Sequence, residues 1–339
     1  MCCVKWMGMK MNKITGYLSI ALLSISSQYV YAECTAYSTP AIIGPVSSFN
    51  VPNLAKQQMS GGLACVGSLS AFSRSYIKYR AIYAPMELTH ENGVDTAHIT
   101  IRDSSESIVQ SGLEKDLSSF SILSIFGGPN SSIPFTVQVA ESLSLKPGVY
   151  IGTLYIKWFY YVPALGIGGI NLTAFQSDGI TFDWWGNVTN WGSGRDATVP
   201  IKLIVTEDCR ISTQNIDFGS AALVSKFDTV NGYVRITCSA KTPYSVGLSN
   251  GQYFNNTRRM KHQSKNTYIG YEVYKNWSPQ RWGSVGSERW NSVDASLMPG
   301  IHDGKTSQTY SFTSKIVEPS TTIAPEGVYT DTVQVEVKF

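Results

Sequence analysis

Six cysteines and four histidines are the residues of this 339-residue chain whose types could do chemistry, as nucleophiles, metal ligands or redox partners. Their spacing argues against most of it. His90, His98, His262 and His302 are isolated, in no HxxxH or HExxH pattern and far from the cysteines, and no CxxC pair occurs. Such a set does not spell a zinc site. There is no GxSxG elbow and no phosphate-binding loop, and the carboxylates are scattered singly. The expectation is therefore no catalysis, no metal and no cofactor. What remains is disulfide chemistry. Cys2 and Cys3 precede an export segment, which leaves Cys34, Cys65, Cys209 and Cys238. An even set in an exported chain reads as disulfides, with three possible pairings. Spacing favours Cys34–Cys65 and Cys209–Cys238, each closing a loop of about 30 residues and each worth roughly 3–4 kcal/mol on the chain-entropy model.

The export segment is read from a basic start (Lys10, Lys13), an apolar run Ile14–Ile25 and a small residue at Ala32. Cleavage is expected after Ala32, with Met11 an alternative start. The apolar run is too short to span a bilayer. Lys and Arg number 27 against 24 Asp and Glu, a net charge of +3, too small to single out nucleic acid or an anionic membrane as partner.

The elements that carry the cysteines repeat. Residues 148–158 read GVYIGTLYIKW and residues 327–337 read GVYTDTVQVEV, an offset of 179; the cysteines recur at offsets of 175 and 173. This is the mark of two copies of one module, each opening on a disulfide and closing on a Gly-Val-Tyr strand. The closing strands have period two: Val333, Val335, Val337 and Phe339 share one face, as do Leu154, Ile156 and Trp158 in the first copy. Thr96–Arg102, Ile133–Val139, Arg235–Cys238, Tyr244–Leu248 and Ile269–Tyr274 also read as strands, and only Ser111–Ser119 hints at a helix. The expected fold is all-β, two Ig-like antiparallel sandwiches in tandem, with residues 1–32 a signal peptide and modules at 33–206 and 207–339.

The second copy resembles the spore coat protein U family, which includes subunits of archaic, Csu-type chaperone–usher pili. The residues that carry the resemblance are Cys209, Ile216-Asp217-Phe218-Gly219, Cys238, the run Thr242–Gly251, Arg259-Met260, Tyr271-Glu272-Val273-Tyr274 and the closing Tyr329–Phe339. The first copy matches only at its cysteines and closing strand. The resemblance implies a sandwich that lacks its last strand. A periplasmic chaperone covers the groove, and the adjacent subunit then fills it with a donated strand at an outer-membrane usher. The groove edge would be Val333, Val335, Val337 and Phe339. With Glu33 leading straight into Cys34, the mature chain has no extension to donate, which implies the pilus tip, where the family has two-domain adhesins. The strand Thr198–Val205, alternating Val199, Ile201, Leu203 and Val205, is expected to complete the first module in cis.

Residues 158–195 hold nine aromatics and only three charges, with no counterpart in the second copy. Pro163 and three glycines interrupt Tyr161–Gly169, so this stretch reads as a loop. The expected adhesive surface is Tyr160, Tyr161, Val162, Ala164, Leu165 and Ile167, with Ile125, Phe126, Trp184 and Trp185 on neighbouring turns. These point to attachment to hydrophobic, abiotic surfaces and to biofilm formation. The alternatives are a tip lectin whose tryptophans stack on glycans, and a structural coat or assembly-initiating subunit.

Overall fold

Cys34 and Cys65 stand directly opposite on antiparallel strands, as do Cys209 and Cys238, and each pair is bonded. The two disulfides thus fix the register of the opening strand of each half. A computed structural model describes residues 33–66, 74–118, 125–140, 145–167, 170–276 and 278–339, without the side chains of 165–167 and 170–172. The expected signal segment and its cleavage point lie outside the described residues.

Strands of the first half run β1 (Glu33–Ala36), β2 (Ala41–Ser47), β3 (Gln57–Val66), β4 (Tyr76–Tyr83), β5 (Glu87–His90), β6 (Thr96–Arg102), β7 (Glu114–Asp116), β8 (Ser132–Val139), β9 (Gly148–Ile167), β10 (Ile170–Gln176), β11 (Thr181–Phe182), β12 (Val188–Asn190) and β13 (Arg195–Thr206). Those of the second half are β14 (Cys209–Thr213), β15 (Val230–Cys238), β16 (Ser245–Leu248), β17 (Arg258–His262), β18 (Tyr268–Lys275), β19 (Trp290–Asn291), β20 (Gln308–Ile316), β21 (Tyr329–Thr330) and β22 (Val335–Lys338). The protein is all-β; where a helix was conceivable, at 111–119, the chain forms β7.

The first half orders its strands β1-β3-β8-β6-β5-β9-β13-β2, with β4 and β10 also on β9. Its core runs from Cys34 to Val205, through Tyr79, Phe135 and Trp158. The second half forms a six-stranded sheet β14-β15-β20-β18-β17-β21 and a three-stranded sheet β19-β16-β22 over a separate core that includes Trp282, Trp290 and Tyr310. We call these halves lobe 1 and lobe 2. Both obey the same alternation, apolar residues inward and polar residues out. Between β13 and β14 only Glu207 and Asp208 intervene, and Ser47 and Ser48 bond Asp208 and Ser239 across the junction.

One expectation fails here. Tyr161–Gly169 does not form a loop at its start: β9 continues to Ile167, with Pro163 opposite Ala174. Register shifts at Asn171/Thr173 and Thr173/Ala174 absorb the irregularity, as bulges do.

Candidate strand-binding groove and exposed aromatic hairpin

In lobe 1 the closing strand β9 is covered along its length. β13 lies antiparallel to it from Arg195↔Trp158 to Val205↔Gly148, and parallel to β2 on its other side. Ala197, Val199, Ile201, Leu203 and Val205 point inward and are buried, as are Tyr150, Leu154, Ile156 and Trp158 opposite them.

Lobe 2 has the same closing strand in the same register. His90 stands opposite Tyr150, and His262 opposite Tyr329. The equivalents of Leu154, Ile156 and Trp158 are Val333, Val335 and Val337, which are only half-buried. Among the described residues no strand pairs with them on the side where β13 covers β9; β22 bonds only β16, and β21 only β17. Phe339 is half-exposed and its ring lies 6.5 Å from Tyr244. At the Gly327–Tyr329 end opens a cavity of about 620 Å³, lined by residues 219–224, Phe227, Ile269 and 322–327. In lobe 1 the matching ground, opposite Gly148 and Tyr150, is filled by Val205 and Leu203.

Polar groups brace this edge. Arg258, wholly buried, donates to the carbonyls of Ser249, Leu248 and Trp282 and pairs with Glu272. Burial pushes its guanidinium down, and Glu272 opposes that. Arg281 bridges Glu272 and Glu288, and Arg289 donates to the Glu336 carbonyl of β22. Asp331 accepts from the Tyr271 hydroxyl at 2.8 Å and from the amides of Gln252 and Thr332. Burial first, then the Asp331 carboxylate, push the Tyr271 phenol far up.

The histidines were missed by motif reading, because they form no catalytic pattern. They are one structural unit used twice. In His90, Nδ1 accepts the Asn92 amide and Nε2 faces the Pro147 carbonyl. In His262, Nδ1 accepts the Ser264 and Lys265 amides and Nε2 faces the Glu326 carbonyl. Each ring stands edge-on to the tyrosine of its GVY strand, and each lies where a Cβ on Gly148 or Gly327 would have to be. Their offset of 172, close to those of the cysteines, is the signal that could have revealed them.

The expected adhesive residues divide. Trp184 and Trp185 are 94% and 84% exposed, at the tip of the β11–β12 hairpin. Asp183 holds that turn: its carboxylate accepts the Asn187 amide and side chain and then the Trp185 amide, and these bonds lower its pKa. Tyr76 donates to the Gly186 carbonyl, and Tyr76 and Tyr161 pack edge-on against Phe182. Tyr161 is thus a half-buried support of the hairpin. Surface placement is corrected for five residues. Tyr160, Val162 and Ala164 are buried, because they continue the inward face of Leu154, Ile156 and Trp158 along β9. Ile125 and Phe126 are buried in the lobe 1 core, tucked under the turn that Gly128 closes onto Ser132. The side chains of Leu165 and Ile167 lie outside the described ones.

A sandwich whose closing strand is covered in one lobe and open in the next has the form of a pilin-type subunit. Comparison with known proteins agrees. The model of the Spore Coat Protein U domain matches residues 195–336, from the start of β13 into β22. The tip subunit in the crystal structure of the CsuC–CsuE chaperone–tip pre-assembly complex, from the archaic chaperone–usher Csu pili of Acinetobacter baumannii, is 37% identical, with TM-score 0.66, over 91% of this chain and 100% of that one. The chain belongs to this family, the spore coat protein U tip subunits of archaic chaperone–usher pili. The CupB6 tip adhesin of Pseudomonas aeruginosa also aligns, over 90% of this chain and 93% of that one, but at 10% identity and TM-score 0.31 it carries no argument. No curated protein sequence matches.

Proposed function

We propose that this chain caps a chaperone–usher pilus, with lobe 2 receiving a β-strand from the adjacent subunit and lobe 1 presenting Trp184 and Trp185 to hydrophobic surfaces. The observation that carries the reading is the contrast between β9, buried under β13, and Val333–Val337, half-exposed at an open edge. An unpaired apolar edge invites a strand. The reach of the family model supports it: the match takes in β13 together with lobe 2, as it would if β13 were the second module's own donor segment, lent to the first. The relative from Acinetobacter was crystallised with its chaperone. By that likeness a periplasmic chaperone covers the lobe 2 groove first, and the outer-membrane usher then exchanges it for the neighbouring subunit's strand and passes the tip to the cell surface.

The hairpin suits apolar contact better than sugar. Asp183 and Asn187 spend their polar atoms on the turn itself, and the two indoles stand free. Aromatic side chains bury roughly 150–250 Å² each; two give about 10 kcal/mol gross at about 25 cal/mol per Å². Association costs about 4–15 kcal/mol. One tip binds weakly, and many pili hold a cell by multivalency, as a biofilm requires.

The test is attachment of piliated cells to polystyrene. Trp184→Ala with Trp185→Ala should leave pilus number unchanged by electron microscopy and reduce attachment severalfold. Val333→Asp with Val335→Asp should abolish assembly. Unchanged attachment by the tryptophan variant refutes the hairpin's role; inhibition of attachment by free sugars would instead favour a lectin.

A further inference from the structure

Along the closing strand the two grooves differ in polarity at one inward position. In lobe 1 the residue of β9 at the crossing between β5 and β4 is Gly152, where a Cβ would collide with Leu88. Ile201 of β13 stands opposite it and is fully buried. At the repeat offset of 179 the matching residue in lobe 2 is Asp331. Its carboxylate is half-buried and fixed by Tyr271, Gln252 and the Thr332 amide, with Phe218 edge-on to Tyr271 at 6.0 Å. So the floor of the lobe 2 groove is apolar toward Gly327–Tyr329, apolar toward Val333–Val335, and carries a carboxylate between.

This matters for register. A strand slipped by two residues keeps its inward and outward faces, so apolar alternation alone does not choose between such registers. In lobe 1 the covalent link from β12 to β13 removes the ambiguity. A strand arriving from another chain has no such link. A single buried polar residue is a known way to fix the register of an otherwise apolar interface. A carboxylate has about four acceptor sites, and three are taken here. An aliphatic side chain laid on Asp331 would strip water from it without return, whereas a hydroxyl would donate to it.

We propose that Asp331 sets the register and the sequence preference of the strand received by lobe 2, selecting a threonine or serine at the position of Ile201 with two apolar inward residues on each side. This rests on the reading of lobe 2 as a strand acceptor, and the experiment separates the two. Labelled peptides of residues 195–206 are made with Ile201→Val and Ile201→Thr, which match in shape and differ by a hydroxyl. Their binding to the full mature chain is measured by fluorescence anisotropy. The threonine peptide should bind about tenfold tighter or more, the scale of a hydrogen bond to a charged group, and the gap should close on Asp331→Gly. Asp331→Asn, which keeps the shape and an acceptor for Tyr271, should narrow it. Register is read separately. In lobe 1 Pro200 faces Thr153, so a Pro200→Cys peptide should cross-link to Thr332→Cys, while Thr198→Cys and Lys202→Cys peptides should not. On an Asp331→Gly background all three should react. Equal affinity of the two peptides, or indiscriminate cross-linking with Asp331 intact, overturns the proposal and leaves the groove standing. Failure of both peptides to bind any variant overturns the groove reading as well.

Discussion

Leu154, Ile156 and Trp158 in lobe 1 and Val333, Val335 and Val337 in lobe 2 occupy the same places in the same strand, yet the first set is buried and the second half-exposed. The difference is one strand. Where β13 runs alongside, its inward residues complete the core, each large one contributing roughly 1.5–3 kcal/mol of burial. Where it is absent, lobe 2 manages the open edge with other means. β22 is short, Thr332, Gln334 and Lys338 face solvent, and Arg289 clasps the Glu336 carbonyl. Short, polar-flanked edges resist unwanted pairing. Lobe 1 is therefore expected to be stable by itself, and lobe 2 to gain stability when a strand arrives.

The largest effect should come from breaking the lobe 1 filling. Ile201→Asp places an unpaired carboxylate at a fully buried position and should cost about 4 kcal/mol or more. Limited proteolysis should then cut lobe 1 while lobe 2 persists. The matched change at the open edge, Val333→Asp, should shift the free chain by about 1 kcal/mol or less, since the side chain can reach water. Equal destabilisation by the two would mean that the edges are alike after all.

Next in size is the brace of lobe 2, built on a buried arginine, where the buried charge of lobe 1 is the Asp103 carboxylate held by Tyr79 and Lys115. Arg258→Ala leaves three backbone carbonyls without their donor in the interior and takes from Glu272 one of its two arginine partners, Arg281 remaining. Removing one partner of a buried pair costs about 3–5 kcal/mol. Calorimetry should show the lobe 2 transition fall and the lobe 1 transition hold. A uniform fall in both would show that the lobes melt as one unit.

The histidine unit, by contrast, should behave alike in both lobes. His90→Phe and His262→Phe each keep a ring beside the tyrosine and remove the bonds to backbone amides and a carbonyl. Leaving such groups unpaired costs about 1–3 kcal/mol. Each variant should lower the midpoint of its own lobe by a similar amount. A large effect in one and none in the other would reduce the repeat to coincidence.

These comparisons also show where reading the chain unaided succeeds and stops. The disulfides were legible, because 31- and 29-residue separations inside a duplicated chain leave one economical pairing. So were β6 and β8, whose alternation is clean, and β18, whose short apolar run is buried on both faces. The course of β9 was not, because Pro163 and its glycines were weighted as breakers. The even-numbered residues 154 to 164 keep facing inward straight through the proline, and period two was the better guide. The tryptophan turn was legible because Gly186 and Asn187 suit a tight hairpin, and no apolar alternation ran through it. Asp331 stayed invisible since the repeat was read for its likeness; the informative position is the one where the copies differ.

The smallest expected effect is on the acid side and separates the lobes by pH. In lobe 2 Asp303 accepts the Thr306 amide first, then the Thr306 hydroxyl and the Lys305 amide, which lower its pKa to about 2. An unfolded aspartate titrates near 3.9. A carboxyl whose folded value lies below its unfolded one adds stability that is fully present above about pH 4 and fades as pH falls through about 2. Asp303 is partly exposed and its partners lie in one surface turn, so screening keeps the contribution below about 1 kcal/mol. Asp303→Ala should therefore lower the lobe 2 midpoint slightly at pH 7, and the gap from the parent chain should shrink steadily between pH 4 and pH 2. The lobe 1 midpoint should not notice the substitution at any pH. A gap that stays constant across that range would mean that the turn is held by its backbone shape and that the charge on Asp303 contributes nothing.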